Sequence, residues 1–361
     1  MKITIVAGAR PNFMKIAPLT RAIQAAKAEG KNISHRLIYT GVKDDPSLDP
    51  SLFSDLNMPA PDAYLNVSDN NSIELAAAVL TAFNLELKQY PADIVLVVDD
   101  LTPTMACAIV AKKLGAKVAH LVAGTRSFDM DMPKEVNRMI TDGLADYLFT
   151  AGMVANRNLS YTGTEDKKIY HVGNILIDSI RYNRNKLIAP VWFSTMGLKE
   201  NEYILLTLNR RVLVKNEKKL HQLLKTILEN SNGMPIIAPV HPYVRESINK
   251  LNLDTARLHI LPPQRYLSFT WLLSRAKAVI TDSGNVAEET TFLGIPCITL
   301  NDYAEHPETH RIGTNELVGE DSEKLAEAMK TLLNGEWKTG SIPERWDGRT
   351  AERIVQILLD K

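Results

Sequence analysis

What this sequence lacks narrows its function before any motif is read. Its 361 residues hold only two cysteines, Cys107 and Cys297. That is too few for a disulfide framework or a cysteine zinc cluster, and it suits a reducing, cytoplasmic setting. No run approaches the ~18 apolar residues of a membrane span. The N-terminal apolar stretch stops at Gly8, too short for the core of a secretory signal, so a soluble, untargeted protein is expected. Charge of one sign is also missing: Lys plus Arg total 42 and Asp plus Glu total 42. This removes the electrostatic footprint of a nucleic-acid partner, though not a single local anion pocket. There is no internal repeat, no GxGxxG fingerprint, no P-loop, no HExxH, no GxSxG elbow and no kinase signature.

What is present reads as an ordinary globular chain, 45% hydrophobic and 23% charged, long enough for about two domains. Short β-branched runs alternate with longer helical patterns. Strands are predicted at Lys2–Ala7, His35–Thr40, Asp93–Val98, Lys117–Val122, Asp146–Thr150 and Ile169–Val172. Further strands are predicted at Tyr203–Leu208, Pro235–Val240, Leu258–Leu261, Ala278–Thr281 and Cys297–Leu300. Runs such as Ile94-Val95-Leu96-Val97-Val98 are apolar on both faces, as in a parallel sheet covered by helices. Helical spacing fills the intervals, among them Ile16–Ala28, Ser72–Gln89, Pro103–Leu114, Pro133–Leu144, Ala287–Leu293 and Thr350–Leu359. The alternation predicts an α/β protein of two doubly wound, Rossmann-like domains. Residues 1–184 and 185–345 are the expected domains, with a hinge near Asn183–Gly197. Ligands of such sheets sit at the carboxyl ends of the strands.

Those ends carry the candidate residues. Gly8-Ala9-Arg10-Pro11-Asn12, with Lys15 one turn on, is either a diphosphate cradle or a surface turn with two solvated cations. Asp99-Asp100 supplies a metal ligand, a general base or a cap for the helix near Pro103. His120, inside an apolar strand, reads as a satisfied core histidine. Arg126 binds a phosphate or pairs with Asp129 or Asp131. Glu135 favours the dipole of the helix it opens and can pair with Arg138. Thr281-Asp282-Ser283-Gly284-Asn285, followed by Glu288-Glu289, combines glycine, hydroxyl and acids where a strand gives way to a helix. That suits a phosphate and a ribose diol. His241 and His306 lie on loops after strands.

Together these stretches resemble the non-hydrolysing UDP-N-acetylglucosamine 2-epimerases. The matching pieces are Gly8 to Pro18, Arg126-Ser127-Phe128-Asp129, Met132-Pro133, Glu135-Val136-Asn137-Arg138, Thr281-Asp282-Ser283-Gly284, Glu288-Glu289, Glu305-His306-Pro307-Glu308 and Gly313 to Gly319. They follow the family's order and span nearly the whole chain. The resemblance implies a GT-B fold with an interdomain cleft, a C-terminal helix (346–361) packed on the first domain, and a homodimer. It implies a UDP-sugar as ligand, no metal and no cofactor. It also implies interconversion of UDP-GlcNAc and UDP-ManNAc through loss of the C2 proton, expulsion of UDP and re-addition. By match, Asp100 is catalytic, with Asp99 and Glu135 as further acid–base candidates. Arg10 and Lys15 would flank the diphosphate, Gln264 and Phe269 the uracil, Ser283, Gly284 and Asn285 the phosphates, and Glu289 the ribose. Arg126, Arg210, His241 and His306 complete the expected binding set. The chain departs from the family at acid–base positions: Val122 and Lys134 replace acids and Asn209 replaces a histidine. A silent UDP-sugar binder is the alternative function.

Overall fold

The computed structural model describes residues 1–68, 71–251, 253 and 255–360. The chain divides into two units, Met1–Tyr182 with Glu344–Lys361, and Asn183–Pro343. The first unit is built on seven strands: β1 (Lys2–Ala7), β2 (Ser34–Tyr39), β3 (Ala63–Tyr64), β4 (Ile94–Val98), β5 (Lys117–Leu121), β6 (Tyr147–Thr150) and β7 (Ile169–His171). Their order is β3-β2-β1-β4-β5-β6-β7, and every pairing is parallel. The second unit holds β8 (Ile204–Thr207), β9 (Ile236–Pro239), β10 (Leu258–Leu261), β11 (Ala278–Thr281), β12 (Cys297–Thr299) and β13 (Asn315–Leu317). These run β10-β9-β8-β11-β12-β13, again all parallel. Each sheet reverses its winding once, between β1 and β4 and between β8 and β11. Those reversals are where doubly wound sheets open a crevice for ligands.

Strand alternation builds the cores. In the second unit Ile204, Leu206, Ile236 and Ile280 face one helical layer through Leu220, Leu224, Leu325 and Met329. Leu205, Ile237, Val279 and Cys297 face the other through Phe193, Leu272 and Leu273. Adjacent residues point to opposite faces, and both faces are apolar because both are covered. Two elements escaped the sequence pattern. β3 and β13 are two and three residues long, too short to show a period.

The helix Arg10–Ala28 begins six residues before the expected Ile16. Pro11 lies in its first turn, where a missing N–H removes no helical bond. Pro18 lies inside the helix and leaves the Met14 carbonyl without its usual donor. The Ser179 hydroxyl supplies one, donating to that carbonyl at 2.5 Å.

The last helix, Thr350–Leu359, packs on Arg10–Ala28 within the first unit. Trp346 is fully buried ahead of it and donates from Nε1 to the Ala151 carbonyl at 2.9 Å. Gly173, at φ 99°, sits so close to the Arg345 carbonyl that a β-carbon would collide with it. Asp178 accepts the backbone N–H groups of Thr350 (3.2 Å) and Ala351 (2.8 Å), capping the last helix from outside.

Burial pushes the Asp178 carboxyl up to about 6, against the hydrogen bonds it receives. A carboxyl whose folded pKa lies above its unfolded value contributes most at low pH, and that contribution fades as pH rises through the folded value. Asp178→Asn is therefore expected to gain stability relative to wild type between about pH 4 and pH 7, by ~2 kcal/mol. Urea unfolding across that range checks it.

Candidate active site

In the first unit the chemistry gathers where β1, β4 and β5 end. The Gly8 and Ala9 N–H groups, expected to face an anion, are already used: the Asn12 carboxamide oxygen accepts both, at 2.8 and 3.1 Å. The same side chain donates to Asp99 Oδ2 at 2.7 Å. Lys15, only 4% exposed, pairs its ammonium with Asp99 Oδ1. Arg10 opens the helix with no acidic residue in the first turn beside it. Burial depresses its guanidinium pKa, opposed by Asp49. A cation at a helix N-terminus is unfavourable by a few tenths of a kcal/mol, and an anionic ligand there would offset it.

Asp99 and Asp100 leave β4 in different directions. Asp99 has a φ of 60°, a left-handed conformation. Its N–H donates to the Leu121 carbonyl at 3.1 Å. Asp100 does not cap the following helix; the cap position is Leu101, which forms no side-chain bond there. Instead, Arg138 donates to Asp100 Oδ2 from Nε at 3.0 Å and from its terminal nitrogen at 2.7 Å. Lys134 lies 3.4 Å from Oδ1, and Asn137 donates to the Asp100 carbonyl at 2.9 Å. Burial raises the Asp100 pKa, but Lys134 and Arg138 overcome it and hold the carboxyl below its usual range.

The helix Pro133–Leu144 has its polar face inward. Glu135, Arg138 and Asp142 follow one face at three- and four-residue intervals, and all three are buried. Glu135 is fully buried and saturated. It accepts the Ser127 N–H (2.9 Å) and hydroxyl (3.0 Å), the Phe128 N–H (3.2 Å) and Arg138 (3.0 Å). Burial would raise its pKa; these donors outweigh burial and lower it. Glu135 is thus a latch on the Ser127–Phe128 loop, in which Phe128 is itself left-handed (φ 59°). Arg126 pairs with Asp142, at 2.6 Å, rather than with Asp129 or Asp131. His120 is 1% exposed and satisfied on both ring nitrogens, by Asp142 and by the Asp99 carbonyl.

Asp142 was not singled out in the sequence, although its seven-residue spacing from Glu135 on one helix places both on the same face. Val122, after β5, takes a φ of 70°, which a β-branched residue rarely adopts.

The second unit has its own polar cluster at β8 and β11. Asp282 accepts the N–H groups of Asn209 (2.8 Å) and Arg210 (2.7 Å), and burial raises its pKa. Arg210 donates to Asn301 at 2.8 Å and pairs with Glu320, which also pairs with Lys219. The Tyr243 hydroxyl holds Asn209 at 2.6 Å, and the His241 ring stacks on Tyr243. Ser283 occupies the cap position of the helix Gly284–Leu293 without forming a side-chain cap bond. Asn285 follows in the first turn, while Glu288 and Glu289 are buried further along. A β-carbon on Gly284 would sit 3.2 Å from a Glu305 carboxylate oxygen. His306 Nε2 lies 3.8 Å from Glu288. Gln264 accepts from the Trp192 indole at 3.2 Å and donates to the Pro262 carbonyl at 2.6 Å. Phe269 packs on the apolar layer beside Leu272 and Phe193. The structure thus groups Arg10, Lys15, Asp99, Asp100, Arg126 and Glu135 in one unit, and the other candidates in the second.

Two doubly wound parallel sheets, each with polar residues at its switch point, define an α/β protein with the GT-B fold of sugar-nucleotide enzymes. The sequence profile of the UDP-N-acetylglucosamine 2-epimerase family matches residues 25–359. The chain is 35% identical over 372 residues to the UDP-N-acetylglucosamine 2-epimerase of Methanocaldococcus jannaschii, covering 99% of both. It is 34% identical over 337 residues to the UDP-2,3-diacetamido-2,3-dideoxy-D-glucuronate 2-epimerase of Pseudomonas aeruginosa, covering 92% of both. The crystal structure of the M. jannaschii enzyme with UDP-GlcNAc and UDP superposes with a TM-score of 0.87 over the full length of both chains, at 35% identity. The chain belongs to the UDP-N-acetylglucosamine 2-epimerase family.

Removing the latch tests the first cluster. Glu135→Gln leaves Arg138 partly uncompensated in a buried setting, so a loss of ~3 kcal/mol is expected in chemical denaturation.

Proposed function

We propose that this protein interconverts the C2 epimers of a UDP-sugar bearing a 2-acetamido group. UDP-GlcNAc and UDP-ManNAc are the first pair to consider. The observation that carries the reading is Asp100, a carboxylate held between Arg138 and Lys134 at the switch point of a chain with family-wide likeness. Both named relatives act on sugars with nitrogen at C2, so the 2-acetamido group is the shared feature.

In the proposed reaction Asp100 takes the C2 proton. The C–H electron pair becomes the C1–C2 double bond, and UDP leaves with the C1–O pair. Return of a proton to the opposite face and re-addition of UDP at C1 give the epimer. The step is redox-neutral. Asp99 fixes Lys15, and with Arg10 this cation balances charge on the departing diphosphate. The backbone N–H groups after Ser283, at Gly284 and Asn285, and the Arg210 guanidinium are assigned to the phosphates. His241 and His306 are assigned to the phosphate-binding loops of the second unit, and Arg126 to the binding set of the first. Glu289 is assigned to the ribose, and Gln264 with Phe269 to the uracil. Two buried free thiols suit a reducing cytoplasm. Among the described residues no helix is long and apolar enough to cross a membrane.

Proton NMR of UDP-GlcNAc with the protein in D₂O tests the reading. Loss of the H2 signal with growth of UDP-ManNAc is expected, and Asp100→Asn should slow it by ~10²-fold or more. Val122, Lys134 and Asn209, at positions where the family has acid–base groups, favour a second reading as a UDP-sugar binder without turnover. An unchanged spectrum with saturation transfer to uridine protons would select it.

We also propose a homodimer. The outer face of Ser72–Gln89 shows Ile73, Ala77, Ala78, Thr81 and Leu85, and the outer face of Pro133–Leu144 shows Val136, Met139 and Ile140. Both helices flank Thr102–Lys113. Exposed apolar side chains on neighbouring helices suit association between copies. Met139→Glu with Ile140→Glu should convert the dimer to a monomer in light scattering.

A further inference from the structure

His120 and Asp142 lie directly beneath the Asp99–Asp100 turn and have no part in the chemistry above. His120 Nδ1 is 2.6 Å from Asp142 Oδ1, and Nε2 is 2.8 Å from the Asp99 backbone carbonyl. A neutral imidazole has one donor nitrogen and one acceptor nitrogen. A carbonyl oxygen only accepts. Asp142 also receives Arg126 at 2.6 Å and the Gly124 N–H at 3.1 Å, so it too is an acceptor. Either neutral tautomer would therefore point a ring lone pair at an acceptor oxygen inside the protein. The Arg126 guanidinium at 2.6 Å holds Asp142 in its ionised form, so both ring nitrogens carry hydrogen.

We infer that His120 is a buried imidazolium, fixed by Asp142, that positions the Asp99–Asp100 turn for proton transfer. The positioning half of this rests on the role proposed for Asp100. The turn needs holding. Asp99 is left-handed at φ 60°, and Val122, which closes the neighbouring strand end, is left-handed at φ 70°. Non-glycine residues sit uphill there by about 1 kcal/mol each. The His120–Asp99 bond and the Asp99–Leu121 bond tie the two strand ends together. His120 faces Asp142 from the helix Pro133–Leu144 and Asp99 from the turn after β4. Arg126 lies behind Asp142, and Lys15 behind Asp99. Burial alone would discharge the ring; Asp142 and Asp99 reverse that and raise its pKa. Loss of the proton at alkaline pH leaves one of the two oxygens without a donor and loosens the turn.

The first test needs no activity. Nitrogen NMR of ¹⁵N-histidine-labelled protein, with His120 assigned by its disappearance in His120→Gln, should show two protonated ring nitrogens from about pH 5 to about pH 8. A single protonated nitrogen at neutral pH overturns the inference. Asp142→Asn should then leave a neutral ring at neutral pH. Its kcat for C2 proton exchange should fall at least ~10-fold with KM within about twofold, and the alkaline limb of the rate profile should move to lower pH. An unchanged kcat and profile in a folded Asp142→Asn protein overturns the positioning role. Where that variant does not fold, His120→Gln supplies the readout. It keeps a donor toward the Asp99 carbonyl but no charge, and an unchanged alkaline limb in it overturns the role. Absence of C2 exchange in the wild-type protein overturns the positioning role together with the Asp100 assignment, while the nitrogen spectrum decides the charge state separately.

Discussion

Arg138 is the residue on which the first unit's polar interior depends. Its guanidinium reaches Asp100 on one side and Glu135 on the other. One cation thereby joins the end of β4, the helix Pro133–Leu144 and, through Glu135, the Ser127–Phe128 loop. Arginine suits the task because its planar fork offers several donors in fixed directions. A lysine would supply the charge without the geometry. Desolvating so many charges is expensive, and only complete mutual pairing makes it tolerable. Lys15, Arg126, Lys134 and Arg138 meet Asp99, Asp142, Asp100 and Glu135. The cluster is balanced before His120 is counted, so an imidazolium makes its net charge positive, which suits an anionic ligand.

The second unit solves a similar problem with backbone groups. Asp282 binds two consecutive N–H groups after β8, fixing the Asn209–Arg210 turn beside β11. In both units a carboxylate at one strand end shapes the loop of a neighbouring strand. The acids that define each loop are thereby consumed as scaffold. Asp142, Glu135 and Asp282 hold backbone N–H groups; Asp100 takes Arg138 on Oδ2 and has the half-exposed Lys134 3.4 Å from Oδ1. Glu135 shows why a carboxylate at the right place in a motif is not by itself an acid–base group. Its oxygens already serve four donors.

Strand order and the two switch points follow from a pattern legible in the sequence. Runs such as Ile94–Val98 announce a doubly covered parallel strand, and Leu258–Leu261 and Ala278–Thr281 have their observed bounds in the sequence pattern alone. The first long helix starts before the expected Ile16 because Pro11 fits its first turn without loss, and Pro18 is tolerated inside it through a compensation far away, at Ser179. Candidate residues at strand ends were legible for the same reason the strands were. Their partners were not. Arg126 has Asp129 and Asp131 close in sequence, yet it binds Asp142, sixteen residues on, since the helix brings that face back over β5. His120 reads as a satisfied buried histidine, and it is one. That both of its partners are acceptors is a fact of space, and its charge follows only from that.

Val122 shows a backbone conformation imposed by its surroundings. The position is left-handed, its N–H and that of Ala123 both bond to the Phe149 carbonyl at 3.1 Å, and Gly124 follows at φ 78°. A β-branched residue is among the least suited to that conformation. Local preference therefore does not set the backbone here; β6 and the Asp99–Leu121 bond do. The turn is determined from outside, so its conformation does not depend on the side chain at 122. The same reasoning covers Lys134. It stands in a helix's first turn, where a cation opposes the dipole, and the neighbouring Asp100 offsets that. The scaffold is held by Arg138, Asp142 and His120, all in the buried layer, while Val122 and Lys134 lie outside that layer.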